Sequence, residues 1–236
     1  MFIPLIIAIS YCLGFFLESM LGFGGGLIAY AILGFFIDVK QIVLAGLYIG
    51  TCASAYIAIS DWQSFDGKNF FSKLPICLAG TIIGTFIFGY INAGSLAFWL
   101  GVLLIFLSLK ITFFDKIKLP RIFEAKLLLI GGIAHGMFGM GGPFVVNALK
   151  DNFKNKSHLR TTMAVFFVFF NIIRFTQLSI TGNLDWHLID SIWWAVIPVF
   201  MAIKLGHIFH LKISEAQFKK MIALITICSG IKFLIN

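Results

Sequence analysis

Eight apolar runs, at approximately 3–37, 41–60, 70–91, 94–114, 125–149, 159–181, 188–210 and 216–235, take up most of this 236-residue chain. About 20 apolar residues span the roughly 30 Å hydrocarbon core of a bilayer as a helix. In lipid a backbone can leave the helix only where protein or a water-filled cavity satisfies its N–H and C=O groups. Hydrophobic residues make up 60% of the chain and charged ones 12%, with a mean hydropathy of +0.99. A soluble domain of this size cannot hide that much apolar surface, so the chain reads as an all-α integral membrane protein.

Six of the runs fit one helical crossing each. The first does not: about 34 helical residues would reach roughly 50 Å, well beyond the core. It is broken near its middle by Gly22-Phe23-Gly24-Gly25-Gly26, and the fifth run is broken in the same manner by Gly139-Met140-Gly141-Gly142-Pro143. Paired interruptions of this kind in two halves of a chain are a pointer to a transporter's binding site.

The halves repeat. A shift of 117 places Gly22, Gly24 and Gly25 on Gly139, Gly141 and Gly142, Met20 on Met137, and Glu18 on His135. With small drifts the register continues through Trp62 and Trp186, Pro75 and Pro198, and Phe98 and Phe218. The chain therefore divides into repeats at 1–115 and 116–236 within one membrane domain.

Basic residues decide how the broken runs sit. If each crossed the membrane, the loops holding Lys68, Lys73, Lys116, Lys118, Arg121 and Lys126 would oppose those holding Lys150, Lys154, Lys156, Arg160, Lys212, Lys219 and Lys220. That split violates the positive-inside rule. If each run instead turns back at its glycines, all thirteen lie on one face, leaving Lys40 and Lys232 near the other. The second layout has six crossings, three per half, so the halves are inverted copies. It makes the basic face cytoplasmic and both termini extracytoplasmic.

The net charge of +8 belongs to these loops and does not imply nucleic acid. Residues 1–17 lack a basic n-region and a small-residue cleavage site and read as the first membrane segment. Cys12, Cys52, Cys77 and Cys228 lie in apolar runs without C-x-x-C spacing, as small core residues rather than metal or disulfide partners. No metal or cofactor motif is present. Asn155-Lys156-Ser157 fits a glycosylation acceptor but falls on the cytoplasmic face.

In the hairpin layout a short helix starts after each break, near Gly26 and near Pro143. Proline suits a first helical position, and each helix start presents unpaired N–H groups and a positive dipole end. Gly24, Gly25, Gly26, Gly141, Gly142 and Pro143 thus outline a midplane pocket for a small anion, with close helix packing as the structural alternative. Gly14, Gly80 and Gly84 read as packing glycines. Glu18 and His135, just before the breaks, are candidates for carrying a coupling proton, or for bonding the freed backbone. Arg174, with Asn171 and Gln177 three residues either side, offers a guanidinium fork for an oxyanion, or an ion-pair partner for Glu18. Lys204 reads as snorkelling to the basic face. Thr51, Ser54, Thr161 and Thr162 supply hydroxyls that commonly bond the preceding turn.

The two-half layout, Gly22–Gly26 and His135-Gly136-Met137-Phe138-Gly139-Met140-Gly141-Gly142-Pro143 resemble the TauE/SafE (sulfite exporter) family of membrane permeases over essentially the whole chain. The resemblance implies a small transporter of sulfur-containing anions such as sulfite or an organosulfonate, in the cell's inner or plasma membrane. One departure is Gly26-Leu27-Ile28-Ala29-Tyr30-Ala31, which lacks the proline often found after the family's glycines.

No Walker motif appears, so transport would draw on gradients and the reading is a secondary transporter working by alternating access. A small-anion channel is the alternative, and an integral-membrane enzyme or a structural subunit ranks below. The partners expected are a small anion and the lipid bilayer, with assembly as a homo-oligomer left open. No H-E-x-x-H or nucleophile–base spacing favours an enzyme. The topology has a direct check: single cysteines placed in 116–126 and in 150–160 should react with an impermeant thiol reagent from the same face. Labelling from opposite faces would exclude the hairpin layout.

Overall fold

The computed structural model describes residues 2–21, 25–113, 121–149, 152–153, 156–208 and 215–235. Gly22, Gly24, Lys116, Lys118, Lys150, Lys154, Asn155 and Lys212 lie outside them. Among the described residues all regular structure is helical. The helices are α1 (Phe2–Leu21), α2 (Gly25–Leu33), α3 (Val39–Ser60), α4 (Gly67–Tyr90), α5 (Ala93–Phe113) and α6 (Glu124–Phe138). They continue as α7 (Gly142–Leu149), α8 (Lys156–Ile180), α9 (Trp186–Ile192), α10 (Val196–Ile208) and α11 (Glu215–Ile235).

Among the described residues six stretches are long and apolar enough to cross a membrane: Phe2–Ser19, Val39–Ser60, Gly67–Tyr90, Ala93–Lys110, Ser157–Ile180 and Trp186–Gly206. This supports an integral membrane protein, though the six differ from those the loop charges select. Helix α1 alone, at 20 residues, reaches about 30 Å, while α11 qualifies as a shorter apolar helix over Ala223–Ile235. The run at 188–210 is also not one smooth helix. A 3₁₀ turn at Trp193–Ala195 separates α9 from α10, just ahead of Pro198, whose missing N–H leaves the Trp194 carbonyl without its ordinary helical donor.

Both broken runs fold back on themselves. A helix continuing through the first break would set Gly14 and Gly25 about 16 Å apart. Instead, a Cβ on Gly14 would fall on the Gly25 carbonyl. At the second break a straight helix would separate Gly131 from Val145 by about 21 Å, yet a Cβ on Gly131 would lie 2.8 Å from Val145 Cγ2. Helix α6 stops because Gly139 takes a left-handed conformation (φ 73°) and donates its N–H to the His135 carbonyl at 2.7 Å. This is the usual glycine termination of a helix. Helix α7 begins where Gly141 O accepts from the N–H groups of Phe144 and Val145.

The chain forms two compact units: residues 1–45, 92–117 and 186–236, and residues 46–91 and 118–185. In the first, α1 packs on α2 and α10, α5 on α11, and α11 on α2. In the second, α4 packs on α6 and α8, and α7 on α6 and α8. Each unit thus takes one broken hairpin and adds helices from the other half of the chain.

Glycine sets the closest of these approaches. A Cβ on Gly84 would land on the Ile133 carbonyl and one on Gly136 on the Thr81 carbonyl, so α4 and α6 meet backbone to backbone. Small residues one turn apart, Gly80 with Gly84 and Gly132 with Gly136, are the usual device for such contact in membranes. The rest of the second unit's core is aromatic and aliphatic. Phe70 packs tilted on Phe166 with ring centroids 4.7 Å apart, over Leu128, Val145 and Leu149.

In the first unit α2 is held at both ends. The Glu18 carboxylate accepts the Gly25 N–H at 2.7 Å, and Lys232 Nζ donates to the Gly34 carbonyl at 2.6 Å beyond its last turn. An anion at a helix start and a cation at its end both complement the helix dipole.

Replacing Gly84 by alanine should therefore force α4 from α6 and lower stability by about 1–3 kcal/mol. Gly50, in α3, has open space where a Cβ would go, and Gly50→Ala should be neutral or stabilising by up to about 1 kcal/mol. Melting temperatures of the two purified variants in detergent give the comparison. Equal behaviour would contradict the packing described.

Candidate functional site

The second break is the better furnished of the two. Three polar side chains, nearly or wholly buried, converge beside it: His135 from the last turn of α6, and Asn171 and Arg174 from successive turns of α8. Arg174 is fully buried, at 0% exposure. Its Nε donates to the Gly136 carbonyl at 3.0 Å and its Nη1 to Asn171 Oδ1 at 3.3 Å. His135 Nε2 also meets Asn171 Oδ1, at 3.0 Å. One amide oxygen thus ties the imidazole to the guanidinium. Spacing of i and i+3 on α8 puts Asn171 and Arg174 on one face, and the Gly136 carbonyl is presented because its residue has no side chain.

The α7 start adjoins this cluster. A Cβ on Gly141 would lie 2.7 Å from His135 Cβ, and one on Gly142 would lie 3.2 Å from Phe167 Cζ. Phe167 stacks flat on the imidazole, with centroids 5.2 Å apart and planes 7° from parallel, while Phe170 meets it edge-on at 5.1 Å. His135, Gly141, Gly142, Asn171 and Arg174 therefore form one neighbourhood, walled by Phe167 and Phe170, and Pro143 follows as the second residue of α7. Among the described residues no side-chain oxygen receives the Gly142 amide. Phe167 and Phe170 were not foreseen. The sequence signal was their placement at i−4 and i−1 from Asn171, invisible in a run so rich in phenylalanine.

The first break is arranged differently. Glu18, the positional equivalent of His135, turns to its own short helix and caps Gly25. The carboxylate thus occupies the place at the α2 start that an anionic ligand would take. A Cβ on Gly26 would meet nothing within 4 Å, and Gly24 lies outside the described residues. Gln177 does not join Arg174: its amide donates across to the Ile82 carbonyl of α4 at 3.4 Å. Lys204 is exposed. Thr51 bonds the Leu47 carbonyl one turn back, while Thr161 and Thr162 do not follow that habit.

Those two threonines belong to a second polar cluster, where the 61–66 loop meets the α8 N-terminus. Asp61 accepts from Ser157, from Ser64 at 2.8 Å and from Thr161 at 3.1 Å. The Asp66 amide donates to Thr162 Oγ1 at 3.0 Å, and the Asp66 side chain caps α4 through the Asn69 N–H. Hydrogen bonds from Ser157 first, then Ser64, outweigh desolvation and hold the Asp61 carboxyl below its ordinary pKa, with Thr161 and Arg160 adding to the effect. No single sequence motif announces this clasp, because its partners are about 96–100 residues apart.

Six helices able to cross a bilayer, two broken runs folded back at glycine and a buried arginine beside one break define a multi-pass membrane protein of the transporter class. The chain belongs to the TauE/SafE family. The family model described as "Sulfite exporter TauE/SafE" matches residues 6–233. No curated protein and no solved structure matches the chain. Membership makes it an exporter-type membrane transporter of the sulfite or sulfur-anion kind.

The loop clasp yields a prediction whose sign follows from linkage. A carboxylate with a lowered folded-state pKa stabilises above its unfolded value of about 3.9 and loses that contribution as pH falls through the folded value. Asp61→Asn should therefore lower stability at neutral pH by an amount of order 1 kcal/mol after allowing for solvent screening, seen as a lower melting temperature. The gap from wild type should close below about pH 4. A gap that persists in acid would mean the carboxylate charge is not what the clasp uses.

Proposed function

We propose that this protein is a secondary transporter that moves a small sulfur-containing anion, sulfite or an organosulfonate, across the cytoplasmic membrane by alternating access. The observation that carries the reading is Arg174, fully buried beside the break between α6 and α7 and hydrogen-bonded there to neutral acceptors. A buried guanidinium beside a helix break is an intramembrane ionisable group of the kind that marks substrate pathways, and its planar fork of donors matches the paired oxygens of an oxyanion. The ligand contacts are Gly141, Gly142, Pro143, Asn171 and Arg174. At the first break, Gly24, Gly25 and Gly26 receive an anion only when Glu18 withdraws from the Gly25 amide.

The same reading assigns repeats at 1–115 and 116–236, inverted relative to each other, with the basic loops cytoplasmic and both termini outside. Export of an anion from a cell negative inside is then favoured by roughly 2.3 kcal/mol per charge per 100 mV. Glu18 and His135 are the groups assigned to any coupled proton.

Flux of labelled sulfite into proteoliposomes tests the reading. Wild-type flux should saturate, and Arg174→Gln should reduce flux at low substrate by about tenfold or more, the loss expected for charge-assisted hydrogen bonds. A folded Arg174→Gln protein with full flux removes the arginine from the site. Flux that never saturates, at channel-like turnover, assigns the protein to anion channels instead. Proton coupling at Glu18 and His135 fails if Glu18→Gln and His135→Gln both leave the pH dependence of flux unchanged.

A further inference from the structure

The amide of Asn171 fixes more than its own orientation. Arginine has only donors, so the atom facing Arg174 Nη1 must be the amide oxygen, and the same oxygen faces His135 Nε2. A flipped amide would set its NH₂ against the guanidinium, donor to donor. His135 Nε2 therefore carries the hydrogen, and in the neutral ring Nδ1 is left as a bare acceptor. That atom is buried and has no hydrogen-bond partner among the described residues. A buried acceptor with no donor is costly and uncommon in a finished structure.

The ring that carries this bare atom stands at the break. His135 Cβ lies 2.7 Å from where a Gly141 Cβ would be, beside the residue that precedes α7, and Asn171 holds the ring's Nε2 edge. Around the ring, α8 brings Arg174, α7 has no titratable residue from Gly142 to Leu149, and α4 brings Gly84 and Thr85 to the α6 face. The charged residues Lys73 and Glu124 pair near the starts of α4 and α6, and Lys68 and Lys126 also lie in those opening turns. Among the described residues of this unit, Arg174 is the charge that His135 meets. A proton added to Nδ1 would bury a second positive charge beside it.

We infer that the anion at this break binds as a singly protonated oxyanion, with its charge set against Arg174 and its own O–H donated to His135 Nδ1. The inference rests on the transporter reading above and narrows its substrate class. The site takes an acid that keeps one proton, such as hydrogensulfite, in preference to a fully ionised dianion or a sulfonate with no O–H. A site built to receive an O–H discriminates strongly against analogues lacking it, because its own polar atom is then left unpaired.

Binding of sulfite, sulfate and methanesulfonate to the purified protein, followed by calorimetry across pH, is the experiment. Apparent sulfite affinity should be constant below the second dissociation of sulfurous acid and fall about tenfold per pH unit above it. Methanesulfonate, a permanent monoanion without an O–H, should bind at least about tenfold more weakly than sulfite at the acidic end and show no pH trend. In His135→Phe, which keeps the stacked ring but removes Nδ1, the two affinities should converge to within about threefold, the spread left by ordinary contacts.

Sulfite binding that is flat across its dissociation would overturn the inference. So would a trend shared by methanesulfonate, which would come from the protein, or an unchanged preference in His135→Phe. Should that variant not fold, ¹⁵N shifts of the wild-type His135 ring decide: hydrogen on Nε2 with Nδ1 bare supports the inference, and the opposite tautomer overturns it. If none of the three anions binds at any pH, the transporter reading is what fails, and the inference falls with it.

Discussion

A backbone in an apolar medium must have every N–H and C=O accounted for, and this chain breaks two helices where that demand is hardest to meet. Much of the local chemistry follows. At the first break a carboxylate is spent on one amide, Glu18 on Gly25. At the second, Gly139 turns its N–H back to the His135 carbonyl, and Gly141 lends its carbonyl to the start of α7. Helices α1 and α2, and likewise α6 and α7, can lie close enough to share these groups because Gly14, Gly25, Gly131 and Gly141 have no side chains in the way.

The two breaks solve the same problem with opposite consequences. Glu18 neutralises its short helix from within the hairpin, and Lys232 completes the job at the far end. His135, in the matching position, turns away from the backbone and joins a hydrogen-bonded set that ends in a buried cation. One short helix is capped by a carboxylate from its own hairpin, and the other stands beside a buried guanidinium that donates to the Gly136 carbonyl and Asn171 Oδ1. The two breaks are alike in their glycines and differ in the residues that handle charge.

Much of this was legible in the residues, and the reasons are physical. The apolar runs force helices, and the excess length of 3–37 together with its glycines forces a break. The collinear glycines placed the second break correctly at Gly139. Asn171 and Arg174 were readable as neighbours because helical spacing alone sets them together. Their bond to His135 was not, since it joins α6 to α8 across 36 residues. Glu18 could be read as a proton carrier or as a backbone cap, and periodicity does not choose between them; its 2.7 Å bond to Gly25 shows the capping contact. Nothing in the sequence sets the interruption before Pro198 apart from Pro75, which sits inside an unbroken α4.

The long reach of the helix pairings bears on how the chain is made. Helix α1 is made well before its partner: the surface around Phe16 and Ser19 fits against Gly206 of α10, which is synthesised about 190 residues later. At roughly 5–20 residues per second, α1 waits on the order of 10–40 s for that partner. Lys232, 198 residues after Gly34, must arrive before the turn after α2 has its counter-charge. During that interval the first hairpin has α3, which Tyr11 reaches through the Ile42 carbonyl, but not α10 or α11. A chain cut short before α10 is thus expected to be a substrate for membrane quality control rather than a half-sized transporter.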